Sequence, residues 1–299
     1  MPTHYDIVHV TTYRYHAPVR FGLHRVMFRP RDSHDLRVLA TNLQVSPAAE
    51  IRLIQDTHSN SIALVQPQEP STALTISCAF TIEHVPSSGD VLPLDPTAEF
   101  LPFAYTLQDR ADLEHYLRPH HDDPDGVLIR WAQQFLQSDA PNSTRETLQR
   151  MGAHIHGSLA YQARDEEGTQ SPLETLAKGS GSCRDYALLM MEAARRLGIA
   201  TRFVSGYLYD PALDAGAHAP GESIVGAGAT HAWLQAYLPG AGWVPFDPTN
   251  NMVGNSGHLL RVGVARDPSL ATPICGSWYG EPDAYAGMDV VVQVTRRQQ

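Results

Sequence analysis

Gly179-Ser180-Gly181-Ser182-Cys183-Arg184-Asp185-Tyr186 runs without interruption into Ala187-Leu188-Leu189-Met190-Met191-Glu192-Ala193-Ala194-Arg195-Arg196-Leu197, and then Gly198. The pattern predicts a helix from Cys183 to Leu197. Ser182 stands where an N-cap serine belongs, and Gly198 stands where a glycine stops a helix. Ala187, Leu188, Met190, Met191, Ala193, Ala194 and Leu197 leave little polar face, so the helix is expected to be buried and central. Cys183 then lies at the positive end of a buried helix. That position favours the thiolate, the nucleophilic form of sulfur. Asp185 near the start and Arg195 and Arg196 near the end complement the helix dipole.

The rest of the chain limits what such a thiol can belong to. A length of 299 residues suits one large domain or two ordinary ones, and 42% hydrophobic content suits a globular protein. A net charge of -10 argues against nucleic-acid partners and against an anionic membrane surface, since both call for basic patches. No apolar run approaches the roughly 20 residues that span a bilayer. The opening Met1-Pro2-Thr3-His4-Tyr5-Asp6 lacks the basic and then apolar segments of a secretory signal, so a cytoplasmic location is expected. Cys78, Cys183 and Cys275 are an odd and sparse set. They do not make a disulfide framework and they suit a reducing compartment.

Residues 1–100 read as short strands. His4 to Tyr15 alternates, with Tyr5, Ile7, His9, Thr11, Tyr13 and Tyr15 on one side. Further runs near residues 25–28, 36–45, 50–55, 61–66 and 73–84 are separated by breakers such as Arg29-Pro30-Arg31-Asp32-Ser33. Many short strands with regular turns predict an N-terminal antiparallel β-sandwich. Residues 101–124 read as a linker, rich in proline and acid and ending in His120-His121-Asp122-Asp123-Pro124. Those four polar residues are adjacent and lack helical i,i+4 spacing, so a solvated linker is favoured over a metal site.

Residues 125–299 read as a second domain in which helices precede antiparallel strands, an α+β arrangement. Helices are predicted from Val127 to Leu136, from the capping box Ser143-Thr144-Arg145-Glu146 to about His156, and after Ser171-Pro172. Strands are predicted over 200–209, 230–238, 243–247, 259–265 and 288–295, with a hairpin turn at Pro239-Gly240-Ala241-Gly242. The glycine-rich segment 211–229 has the length of a lid or binding loop.

A cysteine nucleophile needs a base, and the base needs an orienting group. Cys183 opens a helix, His231 opens a strand, and Asp247 ends the next strand of a hairpin. Cross-strand neighbours have Cβ atoms roughly 4.5–5.5 Å apart, which allows a His–carboxylate hydrogen bond. The helix start offers backbone N–H groups to an oxyanion. Each residue alone has an ordinary reading. Cysteines at helix starts are usually structural, the chain has 15 histidines, and Asp-Pro-Thr often ends a strand. The chemistry lies in the combination.

Gly181-Ser182-Cys183-Arg184-Asp185-Tyr186-Ala187, Ser205-Gly206-Tyr207, Thr230-His231-Ala232-Trp233 and Gly242-Trp243-Val244-Pro245-Phe246-Asp247-Pro248-Thr249-Asn250 resemble, in order and context, the bacterial transglutaminase-like superfamily, often described as cysteine proteases. The resemblance covers about residues 125–270. His9, Thr11, Tyr13, Tyr15, Pro18 and Val19, with Phe28-Arg29-Pro30-Arg31, resemble the β-domain that precedes this core in the same bacterial proteins. The resemblance implies a papain-like transglutaminase core with Cys183 as nucleophile, His231 as base and Asp247 as orienting acid. It also implies that Trp233 lines the site beside His231, and that Tyr161, just before the catalytic helix, reaches the oxyanion region. Two departures touch the edges of the cleft. Ser59 stands where the family usually carries glycine, and Ala265-Arg266-Asp267-Pro268 replaces the usual Gly-Arg-Asp-Tyr. Arg266 reads as a carboxylate binder or, more simply, as part of a structural ion pair.

The expected function is therefore cysteine-dependent acyl transfer at a peptide or protein amide. Water as acceptor makes a peptidase or amidase, and an amine acceptor makes a transglutaminase. No loop has calcium-ligand spacing, and no cofactor or metal is expected. The rivals are a non-catalytic binding module on the same fold, and a zinc hydrolase holding its metal on Cys183, His231 and Asp247.

Overall fold

The computed structural model describes residues 2–85, 93–163, 168–211, 225–254 and 257–297. Most of the segment expected as a lid, residues 212–224, lies outside the described residues, and so does the Pro86–Asp90 stretch. No helix among the described residues is long and apolar enough to cross a membrane.

The alternation at the N-terminus produces one long strand, Thr3–Phe21, with Tyr5, Ile7, His9, Thr11 and Tyr15 buried. It pairs antiparallel with Ser71–His84, which in turn pairs with Leu36–Ser46. A second antiparallel sheet joins His24–Val26, Ser61–Pro67 and Ala49–Gln55. The last strand of the chain, Tyr285–Arg296, returns to the other side of Thr3–Phe21 and sets Val292 opposite His9. Ile274–Cys275 likewise joins the second sheet through His24–Val26. Residues 125–299 are therefore not one unit, because their final strands complete the N-terminal sheets. The pairing partners lie hundreds of residues apart, beyond any local pattern.

The other half is a five-stranded antiparallel sheet. Its order is Met252–Val253, Gly242–Asp247, Thr230–Leu238, Thr201–Leu208, Leu259–Ala265. The central helix, Cys183–Arg196, packs on this sheet, and its Ala187, Met190, Met191 and Ala194 are fully buried. Helices Val127–Gln133, Thr144–Ser158 and Pro172–Lys178 surround it. Ser143 and Ser171 cap their helices as the sequence predicts, and Gly179, at φ 63°, ends the last one.

The far end of the central helix is polar yet buried. Arg195 Nη1 donates to Glu192 Oε1 at 2.7 Å, and Arg196 Nη1 donates to Glu192 Oε2 at 2.8 Å. Arg195 also donates to the carbonyls of Tyr116, Thr201 and Arg266. A buried charge is tolerable only with such complete pairing. The segment expected as a solvated linker supplies part of it. Residues 101–124 carry two short helices, Leu107–Asp112 and Glu114–Leu117, and the N–H groups of His120 and His121 donate to the Glu192 carboxylate. Asp123 accepts from the N–H groups of Leu128 and Ile129 and so caps the next helix.

The two halves meet along Leu259–Ala265. Asn60 uses both ends of its amide on one residue there: Nδ2 donates to the Val264 carbonyl at 2.7 Å, and Oδ1 accepts from the Val264 N–H at 2.9 Å. The same Nδ2 donates to Asp56 Oδ2 at 2.9 Å. His9 Nδ1 and the Tyr207 hydroxyl share a buried hydrogen bond of 2.7 Å. Ser59, where glycine was expected, adopts φ 62°, the left-handed region. The turn keeps a glycine geometry without the glycine. Ser59→Gly is expected to raise stability by about 0.5–1 kcal/mol, the left-handed penalty less the entropy glycine loses on folding. Urea unfolding checks this, and a destabilised variant would contradict it.

Candidate active site

The first turn of the central helix is held by its own third residue. The Asp185 carboxylate accepts from the Ser182 N–H at 2.8 Å and from the Ser182 hydroxyl at 2.9 Å. It also accepts from the Gln170 N–H at 2.6 Å and from Gln170 Nε2 at 3.1 Å. Asp185 is thus more than a dipole partner, since it ties the turn to the segment before Pro172–Lys178. Gly181 is required beside it, because a Cβ there would lie 2.9 Å from the Asp185 Cβ. Cys183 follows in the first turn, 8% exposed.

His231 and Asp247 come from adjacent strands. Leu234 opposes Phe246, so the histidine and the acid are diagonal neighbours, within reach for side chains of this length. His231 Nε2 lies 2.8 Å from Asp247 Oδ2, with both side chains buried. Asp247 Oδ1 accepts from the Thr249 N–H at 2.9 Å, and Oδ2 accepts from Asn250 Nδ2 at 2.8 Å. Burial pushes the Asp247 pKa up. The charge of His231 and these hydrogen bonds outweigh burial and hold it below the usual carboxylate value. Burial pushes His231 down. The charge and hydrogen bond of Asp247, reinforced by Cys183, outweigh it and raise the ring to about 10. At neutral pH the ring is an imidazolium with both nitrogens protonated.

Asp247 occupies Nε2, which leaves Nδ1 for the thiol. Nδ1 is buried and has no hydrogen-bond partner at ordinary length among the described residues. Cys183 still lies near enough to raise the ring's pKa by hydrogen bonding and charge. This arrangement also speaks against a zinc site on these three residues, because the acid is spent on the histidine. No group of three potential metal ligands occurs among the described residues.

Trp233 stacks on His231, with ring centres 6.0 Å apart and planes at 25°. It is only 1% exposed, so it backs the histidine and offers no surface to a substrate, contrary to the expectation that it lines the cleft. Gly206 makes room for it, since a Cβ there would lie 2.7 Å from the indole. Tyr161 is brought to the site by a short parallel pairing with Gly181. Its ring meets Tyr186 edge-on at 6.3 Å and is 38% exposed. Burial, and then the charge of Cys183, push its hydroxyl up to about 12, so it stays a donor at neutral pH. Arg266 lies at the other end of the central helix, about 20 Å of helix from Cys183. Its Nη1 is 3.2 Å from His120 Nδ1. Sequence reasoning passed over Gln170 and Gly226. It met Asn250 only as the tail of Asp247-Pro248-Thr249-Asn250, where its adjacency to the acid was the available signal.

Residues 129–248 match the transglutaminase-like superfamily, and residues 5–83 match the bacterial transglutaminase-like N-terminal region. An uncharacterised protein of Mycobacterium leprae is 27% identical over 293 residues, which span 97% of this chain and 98% of that one. Another, of Mycobacterium tuberculosis, is 28% identical over 288 residues, 92% of this chain and 87% of that one. Among solved structures, a candidate cysteine protease of Cytophaga hutchinsonii superposes with a TM-score of 0.71 at 18% identity, over 100% of this chain and 92% of that one. The last likeness is one of fold.

The His231–Asp247 pair makes stability depend on pH in a defined direction. The folded state holds the His231 proton up to about pH 10, against an ordinary value of 6.5. The stabilisation is complete below 6.5 and is lost as pH rises towards 10. The Asp247 contribution is present above 3.8 and is lost on acidification. His231→Gln should therefore be penalised most at pH 6 and progressively less at pH 8 and 10. Urea unfolding at the three values checks this, and a penalty independent of pH would contradict it.

Proposed function

Because this chain belongs to the transglutaminase-like superfamily, we propose that it is a cysteine-dependent acyl-transfer enzyme acting on a peptide or protein amide, with Cys183, His231 and Asp247 as its triad. The observation that carries this reading is the division of the His231 ring. Nε2 is spent on a buried carboxylate, and Nδ1 is left beside the only cysteine at a helix start. The Cys183 thiolate attacks the amide carbonyl, forming a C–S bond while the C=O electrons move to oxygen. N–H groups of the first helical turn, aided by the Tyr161 hydroxyl, stabilise that oxyanion. The His231 imidazolium gives its Nδ1 proton to the leaving amine as the C–N bond breaks, and a thioester remains. Neutral His231 then takes a proton from water, whose oxygen displaces the thiolate and releases the acid. Asp247 keeps the ring oriented through both steps without itself taking a proton.

Hydrolysis is the favoured outcome. The acceptor is tested by offering a peptide-amide library in water and again with a primary amine present. Cys183→Ala should lower turnover by at least about a thousandfold, and His231→Ala should do nearly the same, because triad members act as a unit. Activity that survives Cys183→Ala would exclude the thiol as nucleophile.

A further inference from the structure

We propose that Asn250 is a positioning residue of this site: its amide ties the triad acid to the backbone of Val225, and so holds Gly226 as a wall against the nitrogen of His231 that serves the thiol. The inference rests on the catalytic reading above.

Asn250 Nδ2 donates to Asp247 Oδ2 at 2.8 Å and to the Val225 carbonyl at 3.2 Å, while Oδ1 accepts from the Val225 N–H at 3.0 Å. Both of its donors and one acceptor position are thus in use. The carboxylate oxygen it holds is the same one that receives His231 Nε2. A rotation of the acid would strain the Val225 clasp, and a shift of Val225 would pull on the acid. The residue after Val225 is Gly226, at φ 89°, a conformation that L side chains rarely adopt. A Cβ at 226 would lie 2.8 Å from His231 Nδ1. The bare backbone there closes one side of the ring at its reactive nitrogen. Water that would compete with the thiol for Nδ1 is kept out on that side. One side chain thereby orients the ring from behind and walls it in front.

Among the described residues the same device occurs once more. Asn60 grips both polar groups of Val264 and donates to Asp56. There it docks one half of the molecule on the other. At Asn250 the anchoring acid is the triad's own, and the gripped residue precedes the wall. Among the described residues, titratable groups near this pair include Cys183, Tyr161 and His156, whose Nδ1 lies 2.8 Å from the Thr249 carbonyl.

The test is the rate of Cys183 alkylation by iodoacetamide from pH 4 to 9, read by peptide mapping, with Cys78 and Cys275 as internal controls and a thermal melt for each variant. Wild type, His231→Ala, Asn250→Ala, Asn250→Asp and Gly226→Ala are compared. Asn250→Ala should slow Cys183 at pH 7 by about tenfold, the equivalent of one lost charge-assisted hydrogen bond. Asn250→Asp has the same shape and keeps the Val225 N–H contact but sets a second carboxylate beside Asp247. It should move the acid limb of the profile upward by about one pH unit. Gly226→Ala should slow Cys183 without moving that limb, because it obstructs the ring and leaves the acid alone. A wild-type Cys183 that labels no faster than Cys275, or as fast after His231→Ala, would overturn the catalytic reading and this one with it. A reactive, His231-dependent Cys183 whose rate and acid limb are untouched by the Asn250 variants would overturn the positioning role alone. A uniform fall at every pH, with Cys78 becoming labelled, would reduce Asn250 to a structural tie and also overturn it.

Discussion

A single buried hydrogen bond, Asp247 Oδ2 to His231 Nε2 at 2.8 Å, is the constraint around which the rest of the site is built. Two ionisable groups removed from water are costly unless their charges and remaining hydrogen-bond positions are satisfied. Here Thr249 and Asn250 satisfy the acid, Trp233 backs the imidazole, Gly206 leaves room for the indole, and Gly226 leaves room at Nδ1. The consequence is a histidine charged at neutral pH that keeps one nitrogen unspent.

The helix itself is fixed at both ends by carboxylates. Asp185 gathers four hydrogen bonds at the N-terminal turn, and Glu192 gathers two arginines and two backbone N–H groups near the C-terminal turn. A helix pinned this way cannot slide along the sheet without breaking charged contacts at one end or the other. In the proposed mechanism that rigidity matters, because Cys183 would serve with His231 only if the first turn stays where it is. The N-terminal sheets contribute from behind. Asn60 extends the hydrogen bonding of Leu259–Ala265, and His9 grips Tyr207, on the strand that pairs with His231. His9 is held near pKa 4 by burial, so this contact stays neutral and insensitive to ordinary pH.

What could be read in the sequence was local. The helix beginning at Cys183 and the strand Thr230–Leu238 follow from periodicity and caps, since each is written in one unbroken local stretch. The partnership of His231 and Asp247 follows from a hairpin, the shortest of long-range contacts. The return of Tyr285–Arg296 to the first strand could not be read, because a strand's alternation says that it pairs but not with what. The linker showed its charge but not Glu192, the buried carboxylate its backbone caps. Trp233 was misplaced for a related reason: its burial depends on the space left by Gly206, which only the folded sheet reveals. Asn250 was visible as a motif residue, yet its role depends on Val225, across the hairpin.

The charge state of His231 is the most direct test of this account. Long-range proton–nitrogen NMR of protein carrying labelled histidine reports both ring nitrogens separately. The account predicts a His231 doubly protonated at pH 7, with a titration near pH 10 that falls sharply in Asp247→Asn. A His231 ring that is neutral at pH 7, or that titrates alike with and without the acid, would contradict the claim that this buried pair organises the site.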